Sequence, residues 1–224
     1  MGKPFLYLFF IGVILLDFLN SIKVKIPSPI SNMITLNHMH IIIKELYNCL
    51  SRNIDGDLVE LGCNLGSTSI IIQTCLLEFN SHKNFHLYDS FEGLPSKTLE
   101  DIPIENSSLS YNEGDLKTSK EILINNFKQR GIKLPFIHVG WFKEIPAVEY
   151  PDKICFSFLD GDFYSSIMDS LNIVYSKMSS GGVILIHDYG WPPLPGVKSA
   201  VTDFLSDKPE KVLEEDYIAK IYKE

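Results

Sequence analysis

The order of apolar and polar residues predicts one helix, followed by an alternation of strands and helices. Before Gly56, apolar residues recur at spacings near three and four, at Ile34, Met39, Ile42, Leu46 and Leu50. This spacing places them on one face of an amphipathic helix. Short apolar runs then predict five strands, at residues 58–61, 85–88, 136–139, 154–159 and 183–186.

Helical patterns fill the spaces between these strands and predict helices at residues 67–79, 115–129, 164–177 and 197–205. In the second of these, Asp115 is the expected N-cap and Gly131 the expected stop. Repeated strand–helix units predict an α/β fold, with a mostly parallel sheet and helices on both faces. Two further runs, near residues 212–213 and 218–222, predict an antiparallel hairpin at the edge of the sheet, with an acidic stretch between its strands.

The first 30 residues form a separate hydrophobic segment ahead of a domain that spans residues 31–224. Residues 5–19 are apolar except for Asp17. A membrane-spanning helix needs roughly 20 apolar residues, so this run is short. Three interpretations stay open. One is a cleaved signal peptide, although no typical cleavage site follows. Another is a membrane anchor with the domain in the cytoplasm, since more lysines follow the run than precede it. The third is a helix that covers the domain or joins two copies in a homo-oligomer.

Charge and cysteine content restrict the partners and the compartment. The formal net charge is −8 and no lysine or arginine cluster interrupts it, which excludes a general nucleic-acid-binding surface. The 4 cysteines are widely scattered and include no C-x-x-C pair, which argues against a zinc site and a compact disulfide framework. We therefore expect a reducing, cytoplasmic compartment, and we expect Cys63 and Cys155, which lie in or beside predicted core strands, to be buried reduced thiols.

Candidate site residues follow the strands, because ligands of open α/β sheets bind beyond the carboxyl ends of the strands. The turn after the first strand supplies Glu60, Gly62, Asn64, Gly66, Ser67 and Thr68. Its glycines allow a tight turn and a close approach of the backbone to a ligand, although a plain structural turn is the alternative. The glycine spacing differs from the G-x-G-x-x-G of pyrophosphate-binding turns. An acidic residue before G-x-x-x-G is instead the pattern of the first motif of methyltransferases.

The second strand is followed by Asp89 and Ser90. Asp89 lies at the position where a carboxylate accepts hydrogen bonds from the hydroxyl groups of a ribose. The alternative role for Asp89 is to cap a turn or a helix.

The fourth and fifth strands are followed by four titratable residues, Asp160, Asp162, His187 and Asp188. The first two point to the same side if the chain stays extended, and carboxylates that close repel each other unless a cation lies between them. Oxygen ligands from two neighbouring strand ends suit Mg²⁺ or a similar hard ion. A histidine beside three aspartates is also a candidate site residue rather than a purely structural one.

Taken together, segments between residues 55 and 205 resemble the macrocin O-methyltransferase family. The matching segments are GDLVELG at 56–62, LYDSFEGLP at 87–95, GWF at 140–142, LDGDFY at 159–164, DYG at 188–190 and GVKSAVTDF at 196–204. The resemblance implies a Rossmann-like class I methyltransferase fold. It also implies metal-dependent transfer of a methyl group from S-adenosylmethionine to a sugar hydroxyl. The positive sulfonium of this cosubstrate suits an acidic chain.

The resemblance also implies roles for individual residues. Glu60, Gly62 and Asp89 would contact the cosubstrate, Asp160 and Asp188 would hold the metal, and Asp162 would be the general base. His187 departs from the family pattern, because an acidic residue is usual at its position. Imidazole is a poorer ligand for Mg²⁺ than carboxylate. Either the metal dependence is lost, or the preferred metal differs, or His187 is itself the base.

The sequence thus predicts an O-methyltransferase that uses S-adenosylmethionine and Mg²⁺ or a similar divalent metal. The acceptor would be a hydroxyl of a small molecule or a glycan, and the polar loop from Ser90 to Gly114 could close over it. Two rival functions are a nicotinamide-dependent oxidoreductase and a non-catalytic adaptor docked on a membrane. The first lacks its usual glycine spacing, and the second does not account for the acidic cluster.

Overall fold

A computed structural model describes residue 25 and residues 27–103 and 109–224 of the chain. The hydrophobic run at residues 5–19 lies outside these residues, so its three interpretations stay predictions. Among the helices that the structure describes, none combines the length and the apolar character needed to cross a membrane.

One seven-stranded sheet forms the centre of the molecule. Its strands are β1 (Asp57–Leu61), β2 (Phe85–Asp89), β3 (Phe136–Val139), β4 (Ile154–Leu159), β5 (Met178–Ile186), β6 (Leu213–Glu215) and β7 (Ile218–Tyr222). The strand order is β3-β2-β1-β4-β5-β7-β6. The first five strands pair in parallel, whereas β7 pairs antiparallel with both β5 and β6. This is the predicted class I methyltransferase arrangement, with β6 at the edge and β7 inside it.

In the part of the chain that the structure describes, five α-helices cover the two faces of the sheet. They are α1 (Leu36–Ser51), α2 (Ser67–Glu78), α3 (Lys120–Gln129), α4 (Tyr164–Val174) and α5 (Pro195–Leu205). Side chains of α1, α2 and α3 build one core, and those of α4 and α5 build the other. Successive residues of β5 alternate between them: Val183 and Leu185 join the first core, and Ile184 joins the second. Because side chains of a strand alternate between faces, an unbroken apolar run is what a strand buried on both faces requires.

The predicted start of α3 is wrong. Asp115 does not cap this helix, since its carboxylate accepts a hydrogen bond from the Asn112 N–H in the preceding turn (2.7 Å). Ser119 is the N-cap, and its hydroxyl oxygen accepts a hydrogen bond from the Ile122 N–H. Aspartate and serine are both good N-caps, so the sequence is compatible with a helix that starts after either residue. The Asp115 side chain is engaged in the turn at residues 112–115, and the helix therefore starts after Ser119. The fifth strand also begins earlier than predicted, at Met178 rather than Val183.

All four cysteines are free and buried, which includes the two whose burial was predicted, Cys63 and Cys155. Burial raises the pKa of Cys49 and of Cys75 to about 12, and that of Cys155 to about 11. The thiols are therefore apolar packing groups that stay protonated at neutral pH.

Candidate functional site

The carboxyl ends of β1, β2, β4 and β5 lie side by side, and the loops that follow them form the site. Asn64, Asp162 and Asp188 follow three different strands, yet each adopts a left-handed backbone conformation, with φ of 43°, 60° and 57°. Asparagine and aspartate tolerate this conformation better than most residues. Such conformations are costly and collect at functional sites, where they aim side chains that a regular backbone would turn elsewhere.

The glycine-rich turn after β1 is packed directly against the turn after β4. Gly62 has φ of 94°, and a Cβ atom there would lie 2.0 Å from the carbonyl oxygen of Asp160. No other residue fits at this position, because the overlap would be with the backbone rather than with a movable side chain. The predicted need for a glycine is therefore explained by contact with the neighbouring turn as well as by the left-handed backbone.

Asp89, the last residue of β2, is hydrogen-bonded to the same turn. Its carboxylate accepts hydrogen bonds from the N–H of Asn64 (2.8 Å) and from the N–H of Phe91 (2.7 Å). Burial raises the pKa of Asp89, while these N–H groups oppose that rise. The capping role that the sequence left open is thus present. It does not exclude a ligand, since an ionised carboxylate offers about four acceptor positions.

Half of the residues predicted to bind the cosubstrate line a first cavity above these turns. Gly62, Asn64, Asp89 and Ser90 line it, together with Trp141 and Phe142 from the loop after β3. The remaining four predicted residues, Glu60, Gly66, Ser67 and Thr68, do not line it.

The surroundings of those four residues indicate that they stabilise the fold rather than line the cavity. Glu60 is 1% exposed, its Oε2 has no hydrogen-bond partner, and burial raises its pKa well above the usual value. A Cβ at Gly66 would meet Leu123 of α3, and the Ser67 hydroxyl lies 3.2 Å from that of Ser31. Thr68 is buried in the first turn of α2.

A cluster of two carboxylates and one imidazole lies at the ends of β4 and β5. The Nδ1 atom of His187 is 2.9 Å from Oδ1 of Asp160 and 3.1 Å from Oδ2 of Asp188. One potential ligand atom from each of these residues lies within 4.8 Å of the others, and these are the three predicted metal ligands. Burial opposes a charge on His187, but the two carboxylates prevail and raise its pKa well above the usual value. The cluster therefore attracts a cation, either a proton or a metal ion.

Asp162, the predicted base, stands apart from this three-residue cluster. Burial raises its pKa well above the usual value, and the negative charges of Asp160 and Asp188 raise it further. A carboxylate with a raised pKa is a stronger base than an ordinary one, which is what proton removal from a weakly acidic group requires.

A second cavity, of about 470 Å³, adjoins the cluster. Three aromatic side chains, Tyr111, Trp191 and Tyr217, line it along with Asp188 and His187. The rings of Tyr111 and Trp191 lie 6.0 Å apart and are tilted by 56°. Asp162 lines both cavities. A group bound in the second cavity would therefore meet a cosubstrate in the first beside this carboxylate.

Several residues of the site were not predicted: the three aromatic residues of the second cavity, and the residues His38 and Asp216 beside His187. Nδ1 of His38, on α1, lies 3.0 Å from Nε2 of His187, and Asp216, in the β6–β7 turn, lies 3.5 Å from Nε2 of His38. His38 had a detectable signal, because it is a polar residue four positions before Ile42 on the apolar face of α1. Asp216 had none, since it belongs to the acidic stretch noted only as lying between the two terminal strands.

Comparisons with known proteins agree with the geometry. The model of the Macrocin-O-methyltransferase (TylF) family matches residues 23–222. Mycinamicin III 3''-O-methyltransferase of Micromonospora griseorubida is 28% identical over 185 residues, which cover 80% of this chain and 71% of that protein. Demethyldecarbamoylnovobiocin O-methyltransferase of Streptomyces niveus is 27% identical over 183 residues, which cover 80% of this chain and 69% of that protein.

Solved structures show the same fold. The O-methyltransferase NovP superposes with a TM-score of 0.74 at 22% identity, covering 97% of this chain and 98% of that one. The S-adenosylhomocysteine-bound methyltransferase PaMTH1 of Podospora anserina superposes with a TM-score of 0.59 at 11% identity, covering 94% of this chain and 87% of that one.

Proposed function

Because the chain belongs to the macrocin O-methyltransferase family, and so is an enzyme that transfers a methyl group from S-adenosylmethionine to a hydroxyl, we propose that its acceptor is a sugar or a glycosylated small molecule. Family membership excludes the oxidoreductase and adaptor alternatives. The curated relatives are named for O-methylation of mycinamicin III, of a rhamnosyl-bearing tetracenomycin and of demethyldecarbamoylnovobiocin.

The observation that carries the proposal is that one carboxylate, Asp162, lines both cavities. The first cavity would hold the cosubstrate, with Gly62 and Asn64 beside its amino-acid part and Asp89 and Ser90 beside its ribose. The second would hold the acceptor. Direct transfer of a methyl group requires the acceptor oxygen and the methyl carbon to be brought together in line. The boundary between the two cavities is where that alignment would occur.

The acceptor cavity has the chemistry of a sugar site. Aromatic faces such as those of Trp191 and Tyr111 pack against the apolar C–H faces of sugar rings, and carboxylates accept hydrogen bonds from sugar hydroxyls. The cavity contains both kinds of group. Its negative charge is unsuited to a phosphorylated acceptor.

Asp160, His187 and Asp188 would hold a divalent metal, since their donor atoms already converge. A bound metal would lower the pKa of a sugar hydroxyl and orient its oxygen. Asp162 would accept the hydroxyl proton, in keeping with the raised pKa of its carboxyl group. His187 is a second candidate for the base, because it lines the same cavity.

Calorimetric titration of S-adenosylmethionine and a turnover assay with candidate glycosides test the proposal together. Asp162→Asn should bind the cosubstrate as the wild-type enzyme does and lose turnover by roughly 10²–10⁴-fold. Trp191→Ala should raise the KM for the glycoside and leave cosubstrate affinity unchanged. Asp207→Asn makes the same replacement at an exposed aspartate outside both cavities and is the control.

Loss of both cosubstrate binding and turnover in Asp162→Asn would count against its role as the base. Full turnover in that variant would transfer the role of base to His187. Turnover with a non-glycosylated hydroxyl compound and with no glycoside would refute the sugar acceptor while leaving the O-methyltransferase activity in place.

Attachment to a membrane, or to a second copy of the chain, through residues 5–19 stays a prediction from the sequence, as does the cytoplasmic location.

A further inference from the structure

We propose that His38 and Asp216 position His187 so that its Nδ1 atom binds a transition metal, and that the site therefore prefers Mn²⁺ or Co²⁺ to Mg²⁺. The inference rests on the proposed metal site. It adds two positioning residues that lie outside the strand-end motifs and a metal preference that follows from them.

The imidazole of His187 is held from both sides. Its Nδ1 atom faces Asp160 and Asp188, and its Nε2 atom lies 3.0 Å from Nδ1 of His38. The two imidazole rings meet edge to face, with centroids 4.9 Å apart and planes inclined by 81°. His187 is 5% exposed and His38 is 6% exposed, so water does not compete for these contacts.

The far end of this arrangement is a carboxylate. Nε2 of His38 lies 3.5 Å from Oδ2 of Asp216, and the same oxygen accepts a hydrogen bond from the side-chain amide of Asn37 (2.7 Å). Since an ionised carboxylate only accepts hydrogen bonds, it favours a proton on Nε2 of His38.

This arrangement suits one tautomer of a metal-bound His187. A metal ion held by Asp160 and Asp188 would bind the lone pair of Nδ1, in place of a proton shared with these carboxylates, whose oxygens lie 2.9 and 3.1 Å away. The proton of the ring would then lie on Nε2, where Nδ1 of His38 is placed to accept a hydrogen bond from it.

Nitrogen in the ligand set favours particular metals. Imidazole suits first-row transition metals, whereas Mg²⁺ prefers oxygen ligands and keeps much of its water. A carboxylate or another acceptor on the far nitrogen of a ligating histidine fixes the ring and increases its basicity, and loss of such a partner typically weakens metal binding by 10–100-fold. His38, supported by Asp216, would supply this effect.

The test uses the full chain stripped of metal by a chelator. Titration with Co²⁺ and with Mg²⁺ gives the two affinities, and pulsed electron paramagnetic resonance of the Mn²⁺-loaded protein reports nitrogen bound to the metal. In the wild-type protein we expect Co²⁺ to bind more tightly than Mg²⁺, with a nitrogen signal on Mn²⁺. His187→Asp should lose the nitrogen signal and shift the preference towards Mg²⁺.

His38→Ala should weaken Co²⁺ binding by about 10–100-fold and change Mg²⁺ binding little. His38→Gln, whose amide oxygen can accept from the His187 Nε2–H, should recover much of that loss and keep the nitrogen signal. It also provides the test if the alanine variant fails to fold. His82→Ala, at an exposed histidine before β2, is the matched control and should behave as the wild type.

Equal affinities for Co²⁺ and Mg²⁺, or a Mn²⁺ spectrum without nitrogen, would overturn the preference. Unchanged Co²⁺ binding in both His38 variants would overturn the positioning role. Failure of the folded wild-type protein to bind any of the three ions would instead overturn the proposed metal site itself, so the two failures are distinguishable.

Discussion

Replacement of Asp101 by alanine is expected to destabilise the fold, because this side chain caps a helix to which it does not belong. The N-cap position of α4 is occupied by Phe163, whose side chain offers no hydrogen bond. Asp101 reaches over from the polar loop, and its Oδ1 accepts a hydrogen bond from the N–H of Tyr164 (2.7 Å). Its Oδ2 accepts from the N–H and from the hydroxyl of Thr98, at 2.8 and 2.9 Å.

The magnitude follows from what the truncation leaves behind. Asp101 is 2% exposed, so its removal deprives two backbone N–H groups of their acceptor in a place that water reaches poorly. Loss of a helix cap costs about 1 kcal/mol, and a buried donor without a partner costs about 1–3 kcal/mol. We expect the free energy of unfolding to fall by about 2–4 kcal/mol. Because α4 begins two residues after Asp162, turnover should fall as well.

Urea unfolding followed by tryptophan fluorescence and circular dichroism measures this loss. The midpoint of Asp101→Ala should fall by roughly 1 M or more. Asp101→Asn keeps one acceptor oxygen and should fall between the alanine variant and the wild type. Glu100→Ala removes the adjacent, exposed carboxylate and should leave the midpoint unchanged. If Asp101→Ala unfolds at the wild-type urea concentration, the reasoning about the cap is refuted.

Three further predictions concern other buried groups. Gly62→Ala should lower the free energy of unfolding by about 2–5 kcal/mol in the same assay, since the Cβ of the alanine would overlap the carbonyl oxygen of Asp160. A urea midpoint equal to that of the wild type would contradict this contact. Burial raises the pKa of Glu60 well above its usual value, so the folded state keeps a proton that the unfolded state loses above about pH 4.3. Stability should thus fall as pH rises from there, and Glu60→Gln should flatten that fall; an unchanged slope would show that Glu60 is ionised in the fold. Burial raises the pKa of Cys49 to about 12, and the other three cysteines are also buried. A disulfide reagent at pH 8 should therefore label the folded protein far more slowly than the urea-unfolded protein. Equal labelling rates would contradict the burial of the thiols.

The secondary structure was largely predictable because apolar periodicity reflects which faces are buried. All five parallel strands and the terminal hairpin were predicted at their observed places within a few residues. The start of α3 was not, because Asp115 and Ser119 have similar capping propensity and only the tertiary turn decides between them. Propensity alone cannot rank two adequate caps.

The candidate site was predictable only as far as it follows the strand ends. Asp160, His187 and Asp188 converge as expected because parallel strands end at one edge of the sheet. Successive residues of a tight turn point in different directions, so Asn64 reaches the cavity while Ser67 does not. His38 comes from 149 positions away in the sequence, and neither periodicity nor a local motif reports such a pairing.

The place of β7 in the sheet has a consequence for biosynthesis. This strand inserts beside β5, and the turn that leads into it carries Asp216 and Tyr217, which border the acceptor cavity. A nascent chain that has emerged only as far as α5 therefore lacks part of its acceptor site and leaves one side of β5 without a partner. We expect such a chain to be inactive until the turn at residues 216–217 is in place. A truncated protein that ends before residue 216 would have no methyltransferase activity. It would also expose an unpaired strand edge, which promotes aggregation.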